Sequence, residues 1–427
     1  RPPGRRRLFS TGVPLPWGRP RAAGPMAPVG TGVNTAGSPL RFGVLGAASI
    51  SASAIIGPCR KSPQEAVITA LAARDRARAE EHCRQHKLTE CKVFDSYQSL
   101  LDHADIDAVY VPSPNGLHYE WTMKALAAGY HVLCEKPFAS NAEEARAMVQ
   151  AARAKGLVLM EAAHWFYHPY RQRMQEIVAS GKLGKLQGVY ANFFFPGKPG
   201  LPPETKTGTS AIRYDTGLAG GCMMDCGWYV LSCIRTLVNG EEPEVEWAQA
   251  QRWAHNGEID EGMKAGLSFP RSGVTGTAVC SYVGDGSDGF VQKTWPGSSA
   301  PTGGAKGVRH PLGPMRWDAE VTGSEAVLHA VNFGVPHAGN RLVVKRRSDG
   351  AELLSESVDS GGYATYDLMV LAFCSHVRQV RAGWVKDTEA FANTGLEPIR
   401  QMEVIDRIYA KAGLQPRTGP ARIAAKL

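Results

Sequence analysis

Three residues in this chain have side chains suited to proton transfer: Lys136, Asp225 and Tyr229. Lys136 follows the short apolar run His131–Cys134 and precedes Pro137. It is therefore expected just past a buried strand, at the carboxyl edge of a sheet, where α/β proteins bind their ligands. Asp225 and Tyr229 are one helical turn apart and share a face. A tyrosine can act as a base at neutral pH if its pKa, about 10 when free, is lowered, and a cation such as Lys136 can lower it. Asp225 can orient a substrate or Tyr229. Each residue also has a plainer reading. Lys136 could be a surface lysine in a turn, Tyr229 a core residue of an amphipathic helix, and Asp225 an acid favoured by a helix dipole. Trp165, Phe166, Tyr167 and His168 form an aromatic cluster that suits a sugar or aryl face, or else an interdomain core.

The elements around these residues alternate between strand and helix. The apolar run 41–46 ends in the turn Gly46-Ala47-Ala48-Ser49-Ile50-Ser51. This is a dinucleotide fingerprint with Ala48 at the second glycine position and Ser51 at the third. A small residue at the second position lets the backbone approach a pyrophosphate at the N-terminus of the next helix. Further strands are expected at Val67–Ala73, Asp107–Pro112, His131–Cys134 and Leu157–Glu161. Helices are expected at Arg76–His86, Tyr119–Ala128 (ended by Gly129) and Ala142–Lys155 (opened by a capping box of Asn141 and Glu144). Strict alternation predicts an α/β Rossmann domain with a doubly wound parallel sheet over residues 41–162. No acid stands at the end of the second strand, where an adenosine ribose is read. Arg74 follows instead, and an arginine there pairs with a 2′-phosphate, so NADP is expected over NAD. The alternative leaves Arg74 as a solvated charge, with Asp75 on a 2′-hydroxyl.

With 427 residues the chain exceeds one core, and two domains are expected. The net charge of +8 does not indicate nucleic-acid binding. Residues 1–64 carry eight Arg, one Lys and no acid, which leaves the rest of the chain at −1. No apolar run reaches the length of a membrane span. The nine cysteines are scattered, with no Cys-x-x-Cys, and read as reduced thiols of a cytoplasmic protein. Cys222 and Cys226 lack a histidine partner, and no metal is expected. Residues 1–40 are rich in Pro, Gly and Arg and read as a disordered leader. They are either a transit peptide for a plastid or mitochondrion or, if translation starts at Met26, partly non-coding.

Several stretches in order resemble the glucose-fructose oxidoreductase / inositol dehydrogenase family. They are Glu135-Lys136-Pro137, Pro112-Ser113-Pro114-Asn115-Gly116-Leu117-His118, and the segment Gly220–Tyr229 with its Asp225…Tyr229 pair. Met160–Trp165 and Met402–Leu414 are similar to the branch holding NADP-dependent D-xylose dehydrogenases and dimeric dihydrodiol dehydrogenases. The resemblance spans roughly residues 41–417. It implies that Gly46, Ala48, Ser49, Ile50, Arg74, Pro114, Asn115, His118, Glu135 and Lys136 hold the cofactor. Lys136 would touch the nicotinamide ribose and the reacting oxygen, with a lowered pKa, and Lys136, Asp225 and Tyr229 would carry the chemistry. Trp165 would contact the substrate, and Arg213, in a stretch similar to the family's active-site loop, would contact the substrate or only anchor that loop. The implied activity is oxidation of a sugar hemiacetal, D-xylose foremost, or of a trans-dihydrodiol. A catalytically idle cofactor-binding sensor or scaffold is the rival. The implied partners are a small sugar, polyol or diol and further copies of the chain, as a homodimer or larger homo-oligomer, with no nucleic acid and no membrane.

Residues 163–420 are expected to form an α+β substrate domain with an open, mostly antiparallel sheet. Its strands are expected at Leu186–Phe195, Val245–Trp253, Lys264–Phe269, Val274–Val283, Ala326–Val331 and Arg341–Lys345. Helices are expected at about Tyr366–Ala382 and Glu397–Ala412. Residues 284–315, with eight Gly and four Pro, read as an insert between two strands, either a loop or a gene-model error.

Overall fold

Six parallel strands open the computed structural model, which describes residues 38–195, 202, 209–283, 309–310, 313–314 and 316–420. The leader 1–37 and most of the Gly/Pro-rich stretch 284–315 lie outside the described residues. The six strands are β1 (Leu40–Leu45), β2 (Ala66–Ala72), β3 (Lys92–Phe94), β4 (Ala108–Val111), β5 (His131–Cys134) and β6 (Leu159–Glu161). The order β3-β2-β1-β4-β5-β6 reverses direction between β1 and β4, so a crevice opens at the carboxyl ends of those two strands. Every residue of β4 and β5 is buried, as strands covered on both faces must be. β3 was not legible in the sequence, because it is three residues long and mostly open to solvent.

Three of the connecting helices begin where the sequence supplies a side-chain cap. α1 (Gly57–Lys61) continues a π-helical turn, Ala52–Ile56. Asp75 caps α2 (Arg76–Gln85) by accepting from the Ala77 N–H at 2.9 Å. Ser96 caps α3 (Tyr97–His103), and α4 (His118–Ala127) ends at Gly129, whose φ is +91°. Asn141 caps α5 (Ala142–Ala154) through the Glu144 N–H at 3.0 Å.

After α6 (Pro169–Ala179) the chain enters a second sheet through β7 (Leu186–Phe194). α7 (Thr209–Arg213) and α8 (Trp228–Leu237) follow, then β8 (Glu244–Trp253), β9 (Asn256–Phe269) and β10 (Val274–Ser281). A two-residue pair, β11 (Arg309–His310) and β12 (Gly313–Pro314), precedes β13 (Arg316–Gly323), β14 (Ala326–Val331), β15 (Arg341–Arg346) and β16 (Glu352–Glu356). The eight-stranded order is β16-β15-β14-β13-β7-β10-β9-β8. Only β7 and β10 pair in parallel, and the other neighbours are antiparallel. The sequence did not reveal β13 or β16, and it placed the start of β9 eight residues late.

α9 (Thr365–Arg381) and α10 (Leu396–Lys411) complete the chain. α9 returns to the parallel sheet, where Phe373 packs on Phe42 with ring centroids 5.5 Å apart in one buried cluster with Val44 and Tyr110. α10 packs on α5 and β8. α8 lies on β7 and β10 and is buried along its whole length.

Candidate functional site

Lys136 leaves β5 in a loop fastened at three points. Glu135 turns inward and is almost fully buried: the Tyr110 hydroxyl on β4 donates to its Oε1 at 2.7 Å, and the Lys136 N–H donates to its Oε2 at 3.2 Å. His118 braces the next residue, with Nδ1 2.8 Å from the Pro137 carbonyl and Nε2 2.8 Å from the Ser113 carbonyl. The Phe138 N–H donates to Glu161 Oε1 at 2.8 Å, and burial pushes the Glu161 carboxyl up to about 8. The Lys136–Pro137 peptide is cis. Two residues expected at the cofactor brace this loop: His118 is wholly buried with both ring nitrogens on backbone carbonyls, and Glu135 faces Tyr110.

Asp225 comes from the other side, on a π-helical turn, Met223–Gly227, that opens α8. Such turns often sit at functional positions. The Met223 N–H donates to buried Asp260 on β9 at 2.6 Å, and Asp260 also accepts from the Tyr409 hydroxyl and the Arg417 guanidinium, each at 2.9 Å. Gly221 has φ +128°, and a side chain there would strike Asp260 and lie 2.6 Å from the Tyr409 hydroxyl. Only glycine fits this turn.

The two sides meet at the Asp225 carboxylate. Lys136 Nζ lies 2.6 Å from Oδ1 and 3.3 Å from the Asp225 carbonyl oxygen. Arg213 Nε donates to Oδ2 at 2.5 Å, and the Tyr282 hydroxyl lies 3.4 Å from the same oxygen. Burial alone would raise the Asp225 carboxyl, but Arg213 and Lys136 overcome it and hold it well below the usual carboxylate range. Asp225 is thus a fixed anion that positions two cations. Arg213, expected near substrate, is brought into the cluster, and its ammonium-side partner Lys136 keeps part of its surface open.

Tyr229 lies beside this cluster, with Lys136 Nζ 4.6 Å from its ring centroid. The expectation that Lys136 lowers its pKa is overturned. The cation faces the ring and not the oxygen, while burial, then Tyr366 and the carboxylates Glu135 and Asp225, push the phenol well above its ordinary value. The hydroxyl stays protonated and lies 2.7 Å from His164 Nε2. Burial and the nearby Lys136 and His337 hold His164 well below the usual imidazole range, so the ring is neutral and accepts the phenol's hydrogen bond. The Tyr366 ring packs on His164, tilted by 32°, with centroids 4.0 Å apart. His164, Tyr282 and Tyr366 were missed in the sequence. His164 stood in the quoted segment Met160–Trp165, where the neighbouring tryptophan drew the assignment. Trp165, expected near substrate, is fully buried, donates to Ser232 Oγ at 3.3 Å and packs on Phe333.

The crevice beside β1 and β4 fits a dinucleotide. Gly46 has φ +142°, and a side chain there would lie 3.3 Å from the Tyr97 hydroxyl. Ala48 and Ile50 are half-buried and Ser49 is exposed, so this turn presents backbone and small side chains. Ser51 Oγ and Ser113 Oγ, one from each lip, are buried with no hydrogen-bond partner among the described residues. Pro114 and Asn115 are half-buried, and Asn115 donates to the Ala219 carbonyl at 3.2 Å, joining the loop after β4 to the segment before Asp225. Arg74 is exposed beyond β2, while Asp75 spends its carboxylate on capping α2.

Residues 40–163 match the family described as the oxidoreductase family with an NAD-binding Rossmann fold, and residues 171–295 match the GFO/IDH/MocA C-terminal domain. A trans-1,2-dihydrobenzene-1,2-diol dehydrogenase of Sus scrofa is 34% identical over 57% of this chain and 68% of its own length. This chain belongs to the Gfo/Idh/MocA oxidoreductase family. Another relative, the D-xylose 1-dehydrogenase (NADP(+)) 2 of Haloferax volcanii, is 40% identical over 47% of this chain and 57% of its own length. The first two curated relatives are thus each matched over 57% of their length. A 3-ketoreductase from Actinomadura kijaniata, solved with NADP and TDP-benzene, shares the fold with a TM-score of 0.69 and 23% identity, over 90% of this chain and all of that one. As a Gfo/Idh/MocA member the chain carries an NAD(P)-binding Rossmann domain. Among the described residues no helix is long and apolar enough to cross a membrane.

Proposed function

We propose that this protein is an NADP-dependent dehydrogenase that oxidises a sugar hemiacetal, D-xylose at C1 foremost. The observation that carries the reading is the fixed Lys136–Asp225–Arg213 cluster, with the Tyr229 ring beside it, at the carboxyl edge of a dinucleotide-type sheet. The Gly46–Ser51 turn, Pro114 and Asn115 would hold the dinucleotide, and Arg74 would take a 2′-phosphate. Bound NADP supplies the hydride acceptor. Lys136, held on Asp225, donates to the reacting oxygen, stabilising the alkoxide as it forms. Tyr229 exchanges the proton. Arg213 orients a substrate hydroxyl while anchoring Asp225. A trans-dihydrodiol would meet the same groups, and the Sus scrofa relative supports that second reading.

A screen of pentoses, hexoses and dihydrodiols with NADP and NAD tests the proposal. Oxidation of an aldopentose is expected to give the highest kcat/KM, with NADP preferred. Lys136→Met and Tyr229→Phe should each lower kcat about 10²–10⁴-fold with the fold intact. Tight NADP binding without turnover of any of these compounds would instead mark a cofactor-binding sensor.

A further inference from the structure

The Tyr229 side chain is buried, so a proton that reaches its hydroxyl needs a route out. A continuous hydrogen-bonded file supplies one. Tyr229 Oη lies 2.7 Å from His164 Nε2, and His164 Nδ1 lies 2.8 Å from Thr365 Oγ1. Thr365 Oγ1 lies 3.3 Å from His337 Nδ1, and His337 stands exposed at the surface. The file joins three parts of the chain far apart in sequence. His164 follows β6, Thr365 is the first residue of α9, and His337 sits on the turn after β14.

The polarity of the file can be assigned end to end. The Thr365 N–H points at His337 Nδ1 at 3.4 Å, so Nδ1 is an acceptor and the His337 proton is on Nε2, towards solvent. The Thr365 hydroxyl then donates to that same Nδ1 and accepts from His164 Nδ1–H. A neutral His164 protonated at Nδ1 leaves Nε2 to accept from Tyr229. Along the file each group passes one hydrogen bond on in the same direction, and His337 Nδ1 also accepts from the Thr365 N–H. The charged groups beside His337 are Asp367 and Lys61, themselves paired at 2.8 Å.

We propose that His164, Thr365 and His337 form a proton relay that connects the Tyr229 hydroxyl to solvent. This rests on the dehydrogenase reading above. During oxidation the carbinol carbon loses a hydride to the oxidised dinucleotide, and the substrate O–H bond breaks to leave a carbonyl. The substrate proton passes to Tyr229 Oη as the phenolic proton passes to His164 Nε2. The Nδ1 proton of His164 moves to Thr365, the Thr365 proton to His337 Nδ1, and the Nε2 proton of His337 to water. Every member ends with the proton count it began with. Thr365 and His337 act through Tyr229 and are positioning residues.

The test compares the full-length enzyme with Thr365→Val and His337→Ala. Both variants should lose at least about tenfold in kcat, with a larger solvent deuterium isotope effect and unchanged KM for sugar and dinucleotide. Added imidazole should restore His337→Ala, whose gap opens to solvent, and leave Thr365→Val unrescued. Unchanged kcat and isotope effect in both variants, or losses that fall on KM and resist imidazole, would overturn the relay. Nitrogen-15 spectra of the histidine rings give a readout without turnover. A Nδ1–H tautomer at His164 and a Nε2–H tautomer at His337 are expected, and the opposite tautomer at either would overturn the relay. Correct tautomers in a protein that oxidises none of the screened compounds would uphold the file and sink the dehydrogenase reading.

Discussion

At the scale of single residues, the site works by fixing charge. Asp225 is ionised between Lys136 and Arg213, so neither cation needs to reorganise when a negative oxygen develops near them. Tyr229 and His164 are kept neutral by the same burial that makes the ion cluster strong. Arg74 has the opposite character, exposed and free to meet a ligand. Arg74→Ala should raise the KM for NADP about tenfold or more and leave that for NAD nearly unchanged, as steady-state kinetics with the two cofactors would show. Glu161 makes a pH prediction. Its folded pKa of about 8 stands above the ordinary value of 4.5, so the folded state holds an extra proton between those values. Its contribution to stability is full below the lower value, falls as pH rises towards 8 and is flat beyond. Glu161→Gln keeps an acceptor for the Phe138 N–H and removes the titration. Thermal melts should show the variant gaining on the parent from pH 5 to pH 8, by roughly 1 kcal/mol per pH unit at most.

At the scale of elements, short turns decide where these residues point. The segment from Arg213 to Asp225 is folded tightly: a side chain on Gly220 would lie 2.5 Å from the Arg213 carbonyl oxygen, and one on Gly116 would press on Leu218 at 2.9 Å. Gly221→Ala should destabilise the protein by roughly 2–3 kcal/mol in denaturant titrations and lower kcat as well, because it displaces the turn carrying Asp225. An alanine there with unchanged stability and kcat would show that the turn has slack. The capped helices α2, α3 and α5 start where Asp75, Ser96 and Asn141 stand, since each side chain satisfies a backbone N–H that the helix leaves open. α3 and its Ser96 cap went unread, whereas the boundaries of α2 and α5 were readable from local sequence to within one residue. The strands β3, β13 and β16 were not, because their pairing comes from distant partners and their own patterns are short or polar.

At the scale of the whole molecule, the end of the described chain ties the two sheets together. Arg417 reaches Asp260 on β9, while its carbonyl oxygen accepts from Asn141 at the start of α5. Gly419 donates to Glu144 of the same helix at 3.3 Å. Arg417→Met would leave Asp260 as a buried carboxylate without its cation. It should cost about 3–5 kcal/mol, measured by chemical denaturation, and Asp260→Asn in the same chain should recover part of that loss.

The sequence alone determined the α/β alternation, the dinucleotide turn and the positions of Lys136, Asp225 and Tyr229. These follow from local rules: hydrophobic period, capping side chains, glycine turns and the one-turn spacing of helical residues. The tertiary structure alone decided what those residues touch. It put the Lys136 charge on Asp225 and the Tyr229 ring, sent Trp165 and His118 into the interior, and brought His164, Thr365 and His337 into one file. The physical reason is that protonation and orientation depend on burial and on partners up to 200 residues away along the chain (His164 and Thr365 are 201 apart), which no local pattern encodes.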